Sequence, residues 1–154
     1  MTTLDLSNRG LQSIPKFILE LEIESLDLSG NSIENIENLP NSLKHLNLSD
    51  NKIQKLENLP LNLVSLDLYN NLIQIVDILP FNLIELDISC NLVHKIHLLP
   101  PKLERLIIYE NKLKTLPIYL SQLKLKKIHY HGNPIKFSKK IIKWLSNIEK
   151  INFQ

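Results

Sequence analysis

The chain has 154 residues, 44% of them hydrophobic, and 18 Lys and Arg against 16 Asp and Glu give a formal net charge of +2. That length and composition fit one soluble globular domain, and no apolar run approaches the ~20 residues of a membrane-spanning helix. A single cysteine, Cys90, excludes a disulfide framework and points to a reducing, intracellular setting, while three glycines leave little from which to build a phosphate-cradling loop.

The N-terminal run MTTLDLSNRG lacks the basic and apolar regions of a signal peptide and enters a strand pattern at once. LDLSNRGL, from Leu4 to Leu11, opens a series, with Arg9 where every later member has asparagine. The series continues as IESLDLSGNSI from Ile23, LKHLNLSDNKI from Leu43, LVSLDLYNNLI from Leu63, LIELDISCNLV from Leu83, LERLIIYENKL from Leu103 and LKKIHYHGNPI from Leu125. Its asparagines, Asn31, Asn51, Asn71, Asn91, Asn111 and Asn133, lie 20, 20, 20, 20 and 22 residues apart. A fixed period of this length means a solenoid of stacked units, seven of them over residues 1–135.

Within the frame LxxLxLxxNxL, side chains of xLxLx alternate, so the two leucines point inward and the residues between them outward. Successive units side by side then form a parallel sheet on the concave side. The asparagine sits where the chain leaves the strand, and its amide can bond the backbone of neighbouring turns. A buried amide without such partners is costly, so the six asparagines are read as structural. After the asparagine each unit runs NxIxxIxxLPxxL, and Pro40, Pro60, Pro80 and Pro100 recur at one position. Twenty residues leave no room for a full helix there, so extended or short 3-10 segments are expected on the convex side.

Residues 136–154 break the pattern. SKKIIKWLSNIEKI places Ser138 as N-cap and Ile141, Ile142, Leu145 and Ile148 on one helical face, a helix suited to cover the last unit. Trp144 is expected to pack in this cap. No comparable cap precedes Leu4, so the first strand is expected to be an exposed edge.

The 20-residue period and the recurring LPxxLxxLxLxxNxLxxL resemble the short leucine-rich repeats of bacterial effectors of the YopM and IpaH type. NIENLP and KLENLP also resemble the SDS22-type intracellular repeats. The resemblance covers residues 4–135 and implies an α/β right-handed solenoid, or horseshoe, with a C-terminal capping helix. It also implies a non-enzymatic protein that binds a protein partner in the cytoplasm, that of a host cell if it is an effector. Two departures stand out: the additional proline six residues after the asparagine position appears only as Pro15 and Pro117, and neither a paired-helix leader nor a ligase domain is expected from these residues.

The outward columns of the sheet carry the functional reading. Their third-position residues are Thr3, Ser25, His45, Ser65, Glu85, Arg105 and Lys127; the fifth are Asp5, Asp27, Asn47, Asp67, Asp87, Ile107 and His129; the seventh are Ser7, Ser29, Ser49, Tyr69, Ser89, Tyr109 and His131. The acidic fifth column reads as the commonest form of the repeat rather than as a ligand groove. Where serine and aspartate give way, Tyr69, Glu85, Asp87, Arg105, Ile107, Tyr109 and His129 are the candidate partner-binding residues, since exposed Tyr and Arg most often anchor interfaces.

Off this face, Val64, Leu72, Ile75, Ile78, Ile84, Leu92 and Leu98 are apolar where units 2 and 3 are polar. They form a candidate self-association patch, and a structural, dimeric subunit that associates through this patch or through the exposed first strand is the alternative reading.

Charge is lopsided. Residues 1–111 hold 8 basic and 15 acidic side chains, and residues 112–154 hold 10 lysines against Glu149 alone. These lysines lack interleaved aromatics, so nucleic acid is not the expected partner. His129 and His131 share a strand face, but two ligands do not make a metal site. No nucleophile elbow or zinc motif occurs, and neither a catalytic residue nor a cofactor is expected.

Overall fold

The structure is a computed structural model and describes residues 1–148. Seven three-residue strands, β1 (Thr3–Asp5), β2 (Ser25–Asp27), β3 (His45–Asn47), β4 (Ser65–Asp67), β6 (Glu85–Asp87), β8 (Arg105–Ile107) and β9 (Lys127–His129), form one parallel sheet in sequence order. Each pair is in register at the period of the sequence. Ser25 faces His45, His45 faces Ser65, Ser65 faces Glu85 and Glu85 faces Arg105, so the outward columns are true cross-strand neighbours. The expected solenoid with its parallel sheet is therefore present.

Alternation sets the core. Leu28, Leu48, Leu68, Ile88 and Ile108 are fully buried in one row, and Ile33, Ile53, Ile73 and Val93 in another. Every unit spans the same interior, so one apolar column runs the length of the solenoid rather than closing into a globular centre.

The asparagines stitch this column. Asn71 donates through Nδ2 to the carbonyls of Leu48 at 2.9 Å, Leu68 at 3.2 Å and Tyr69 at 3.2 Å, and its Oδ1 accepts from the Ile53 N–H at 2.9 Å. Asn51, Asn91 and Asn111 repeat the pattern. Asn31 and Asn133 reproduce it at the two ends. Each amide thus joins its own unit to the one before it, as the frame predicts.

The residue just before the asparagine position is left-handed in every unit: Asn8, Gly30, Asp50, Asn70, Cys90, Glu110 and Gly132, with φ between 51° and 66°. That turn aims the following asparagine into the core. At Gly132 the turn is also crowded, since a Cβ would lie 2.3 Å from Glu110 Oε1.

The convex side differs from unit to unit for readable reasons. Pro15 and Pro117 each precede a five-residue 3-10 helix, Lys16–Glu20 and Ile118–Gln122. A proline before the first turn supplies a preset φ where no N–H is needed. In units 2 and 3, Asn38 and Asn58 adopt φ 55° and donate to the carbonyls of Ile14 at 3.1 Å and Ile36 at 3.2 Å in the preceding unit. Units 4 and 5 have Ile78 and Leu98 at this position. The backbone instead runs as β5 (Ile75–Val76) and β7 (Lys95–Ile96), a two-stranded parallel sheet on the convex side.

Helix α1 (Lys139–Leu145) closes the far end. Ser138 Oγ accepts from the Ile141 N–H at 3.3 Å, and Ile141 and Leu145 join the core, with Trp144 and Ile148 packed partly against it. Ile142, expected on the same face, is instead 55% exposed. In a helix this short, the stripe that reaches the last unit is two residues wide, and a residue adjacent to Ile141 points about 100° away. The remaining stretch of the expected cap, residues 149–154, lies outside the described residues. At the other end β1 is the sheet edge among the described residues, paired with β2, and Leu4 and Leu6 are half-buried.

Candidate interaction surfaces

The acidic fifth column is tied into the fold. Asp5 and Asp67 accept at Oδ1 from the backbone N–H of Ser7 and Tyr69, both at 2.9 Å. Asp27 and Asp87 hold Ser29 and Ser89 by backbone N–H at 2.8 Å and 2.9 Å, and also by the serine hydroxyls. Asn47 does the same for the Ser49 N–H at 3.0 Å, and its Nδ2 bridges to Asp27 Oδ2 at 3.1 Å. These side chains cap the strand exit, an Asx turn repeated along the sheet.

Repulsion along the column persists. Burial pushes the Asp67 carboxyl above its ordinary range, against the pull of the Tyr69 N–H, and the charges of Asp87, Asp50 and Asp27 add to the rise.

At units 5 to 7 the sheet face changes character. Asp87, Arg105, Ile107, Tyr109, His129 and His131 line one concavity of about 410 Å³. The structure thus gathers five of the seven candidate residues in one place. Tyr69 and Glu85 are outside this lining. Tyr69 is half-buried and the neighbouring Cys90 thiol pushes its hydroxyl above the ordinary phenol range, while Glu85 is exposed beside Arg105 in the register.

Two of the gathered residues are not the projecting contacts expected of them. Ile107 is 8% exposed and His129 5%. Both occupy the fifth column, where small aspartates elsewhere leave room. Here the bulky Arg105, Tyr109 and His131 stand around them, so Ile107 and His129 form the floor and the others the rim. Burial holds His129 below the ordinary imidazole range, helped by the charges of Lys127, Arg105 and His131 and opposed by Asp87.

His131, outside the seven candidate residues, belongs to the same rim. It stacks on Tyr109, with centroids 4.8 Å apart and ring planes 4° apart. Its signal was available, because it stands in the seventh column one strand after Tyr109.

The apolar residues off the sheet face are distributed over several grooves. Ile78 and Leu98 line a groove of about 620 Å³ with Leu61, Phe81, Pro80 and Pro100. Val64 and Ile84 line a separate groove among Glu24, Lys44, Asn62 and Lys102. Ile75 lines a third with Gln54, Lys55, Glu57 and Asp77, and Leu72 and Leu92 stand 41% and 40% exposed. Leu61 and Phe81, 73% and 64% exposed, add to the apolar residues read from the sequence, and both fall in the column that holds Asn41 in unit 2.

Among the described residues no group of three or more His, Cys, Asp or Glu is placed to hold a metal ion, and no helix is long and apolar enough to cross a membrane.

The family model for the Leucine Rich Repeat matches residues 22–45 and 42–61. No curated protein matches the sequence. Among solved structures, the chain is similar to a leucine-rich-repeat protein of Leptospira interrogans, at 31% identity and a TM-score of 0.71, over 92% of this chain and 40% of that one. It is similar to YopM, a leucine-rich effector protein from Yersinia pestis, at 34% identity and a TM-score of 0.75, over 85% of this chain and 37% of that one. A Shigella effector LRR domain matches at 27% identity and a TM-score of 0.74, over 95% of this chain and 74% of that one. The chain therefore spans less than half the length of the Leptospira and Yersinia proteins.

Proposed function

Because the chain is a leucine-rich-repeat protein with effector domains among its structural relatives, we propose that it is a non-enzymatic module that binds a protein partner on the outward face of its sheet. It acts in this reading as an effector-like or scaffold protein in a cell's cytoplasm, that of a host if it is an effector. The observation that supports the site is the concavity at units 5 to 7, rimmed by Arg105, Tyr109 and His131 over a floor of Ile107 and His129. A buried floor with an aromatic and arginine rim has the make-up of an interface anchor, whereas Asp5, Asp27, Asn47 and Asp67 of units 1 to 4 are committed to holding the turns.

Affinity capture from host-cell lysate tests this reading. Immobilised wild type is compared with the Arg105→Ala, Tyr109→Ala double variant and with a Lys55→Glu control on another face. Proteins held by wild type and control but lost with the double variant carry the reading, and identical capture by all three overturns it.

A second reading, self-association, is favoured by the exposed apolar groove around Ile78 and Leu98. A mass of one chain at every concentration removes it.

A further inference from the structure

The groove of units 3 to 5 is unlike the rest of the solenoid surface. Leu61, Ile78, Phe81 and Leu98 are 73%, 79%, 64% and 63% exposed, and Asn58 is the one polar residue in a lining otherwise of leucine, isoleucine, phenylalanine and proline. A continuous apolar surface of this kind on a single chain marks an association site.

Two features say what covers it. The first is the groove's own internal repetition. Ile78 and Leu98 are equivalent positions of adjacent units, and a two-fold axis passing between units 4 and 5 would set Ile78 of one copy against Leu98 of the other. Each then meets the other's counterpart, as a closed isologous contact requires. The same axis would lay unit 3 of one copy against unit 6 of the other, where Ile118, the counterpart of Ile78 and Leu98, is 58% exposed on its 3-10 helix.

The second is charge. With the two solenoids antiparallel, the acidic end of each chain lies along the lysine-rich end of the other. Residues 1–111 carry 15 acidic and 8 basic side chains, and residues 112–154 carry 10 lysines and one glutamate. Glu34 and Glu37 stand exposed in unit 2 and Lys112, Lys114 and Lys124 in units 6 and 7, while in unit 3 Glu57 is paired with Lys55 at 3.9 Å. A parallel pairing would set like charge against like.

We propose that this groove is the surface by which two copies of the chain associate, packed antiparallel about a two-fold axis between units 4 and 5. The proposal deepens the self-association reading and leaves the sheet face of both copies open, so it stands or falls apart from binding of a different protein.

Sedimentation equilibrium of the purified chain reads the assembly directly. The expected result is a particle of twice the 17.9 kDa chain mass. The Ile78→Glu, Leu98→Glu variant should weaken dimerisation about 100-fold, while Leu72→Glu leaves it unchanged. All three positions are exposed, so at concentrations where wild type is monomeric the thermal midpoint of each variant should match it, and only at dimer-forming concentrations should the double variant fall below it. Geometry is read by oxidative cross-linking in a Cys90→Ser background. A mixture of Ile78→Cys and Leu98→Cys chains should cross-link far better than either alone. A wild type that stays monomeric at every concentration overturns the proposal, as does a dimer indifferent to the double glutamate change. Cross-linking dominated by Ile78→Cys with itself overturns the antiparallel arrangement.

Discussion

Tyr109 and His131 lie ring on ring across adjacent units, with centroids 4.8 Å apart and planes within 4°. They are 22 residues apart in sequence and become neighbours only because both occupy the seventh position of the frame. Their contact joins the last full unit to the one beneath the cap. A stacked aromatic pair is worth about 1 kcal/mol beyond the area it buries. A double-mutant cycle of Tyr109→Ala and His131→Ala in urea denaturation should therefore show a coupling of about 1 kcal/mol. Additive effects of the two changes would remove the stack as an energetic contact.

Asn71→Ala deletes three donated hydrogen bonds and one accepted, all at a residue 4% exposed. The freed backbone groups have no water to turn to, and the expected cost is about 3 kcal/mol. Asn133→Ala, at the partly exposed end of the ladder, should cost roughly half as much because solvent can replace its partners. Unfolding free energies of the two variants check the order. An Asn71→Ala protein as stable as wild type would contradict the ladder.

Asp67→Asn should stabilise the protein at neutral pH. An amide at this position can still hold the following N–H, as Asn47 does for Ser49, while repulsion from Asp87, Asp50 and Asp27 disappears. The gain expected for removing a like charge on a partly exposed strand is about 0.5 kcal/mol. The pH dependence follows from a folded-state carboxyl raised above its unfolded value. The protonated form favours the fold, so this residue's contribution is fully present below the unfolded pKa and is lost as pH rises through the raised folded one. Chemical denaturation of wild type and variant at pH 7 and in acid should show the difference between them shrinking as pH falls. Destabilisation by Asp67→Asn at pH 7 would contradict the account.

His129 gives the opposite slope at higher pH. Its imidazole is held below the ordinary value of 6.5, first by burial and then by Lys127, Arg105 and His131. The unfolded chain therefore binds the proton more readily, and stability falls as pH drops through the unfolded value toward the folded one. Replacing His129 with Gln should flatten the stability profile in that window, with carboxylate effects confined to lower pH. An unchanged slope would place the wild-type dependence elsewhere.

The fold was legible because each repeat imposes the same surroundings on the same position. Leu26, Leu46 and Leu66 all face the core between identical neighbours, so their burial follows from the pattern. Ser138 as a helix cap was equally local. The candidate site was legible where it depended on alternation alone, which put Asp87, Arg105 and Tyr109 on one face. Exposure on that face was not. Ile107 and His129 share a column with Asp67 but sink beneath larger neighbours, and that depends on side chains from adjacent strands.

The convex side followed the same division. Pro15 and Pro117 marked the two 3-10 helices once their position was seen, and Asn38 and Asn58 supplied left-handed turns that Ile78 and Leu98 do not. The gathering of Leu61, Ile78, Phe81 and Leu98 into one groove required three successive units to be stacked.

The sequence by itself therefore determined the period, the strands, their register and the asparagine ladder, because these repeat every turn and each turn constrains the next. Tertiary structure alone decided which outward residues are rim and which are floor, and which apolar side chains share a surface. Those outcomes depend on the sizes of side chains about 20 positions apart that stacking brings within van der Waals reach, and no periodic pattern encodes them.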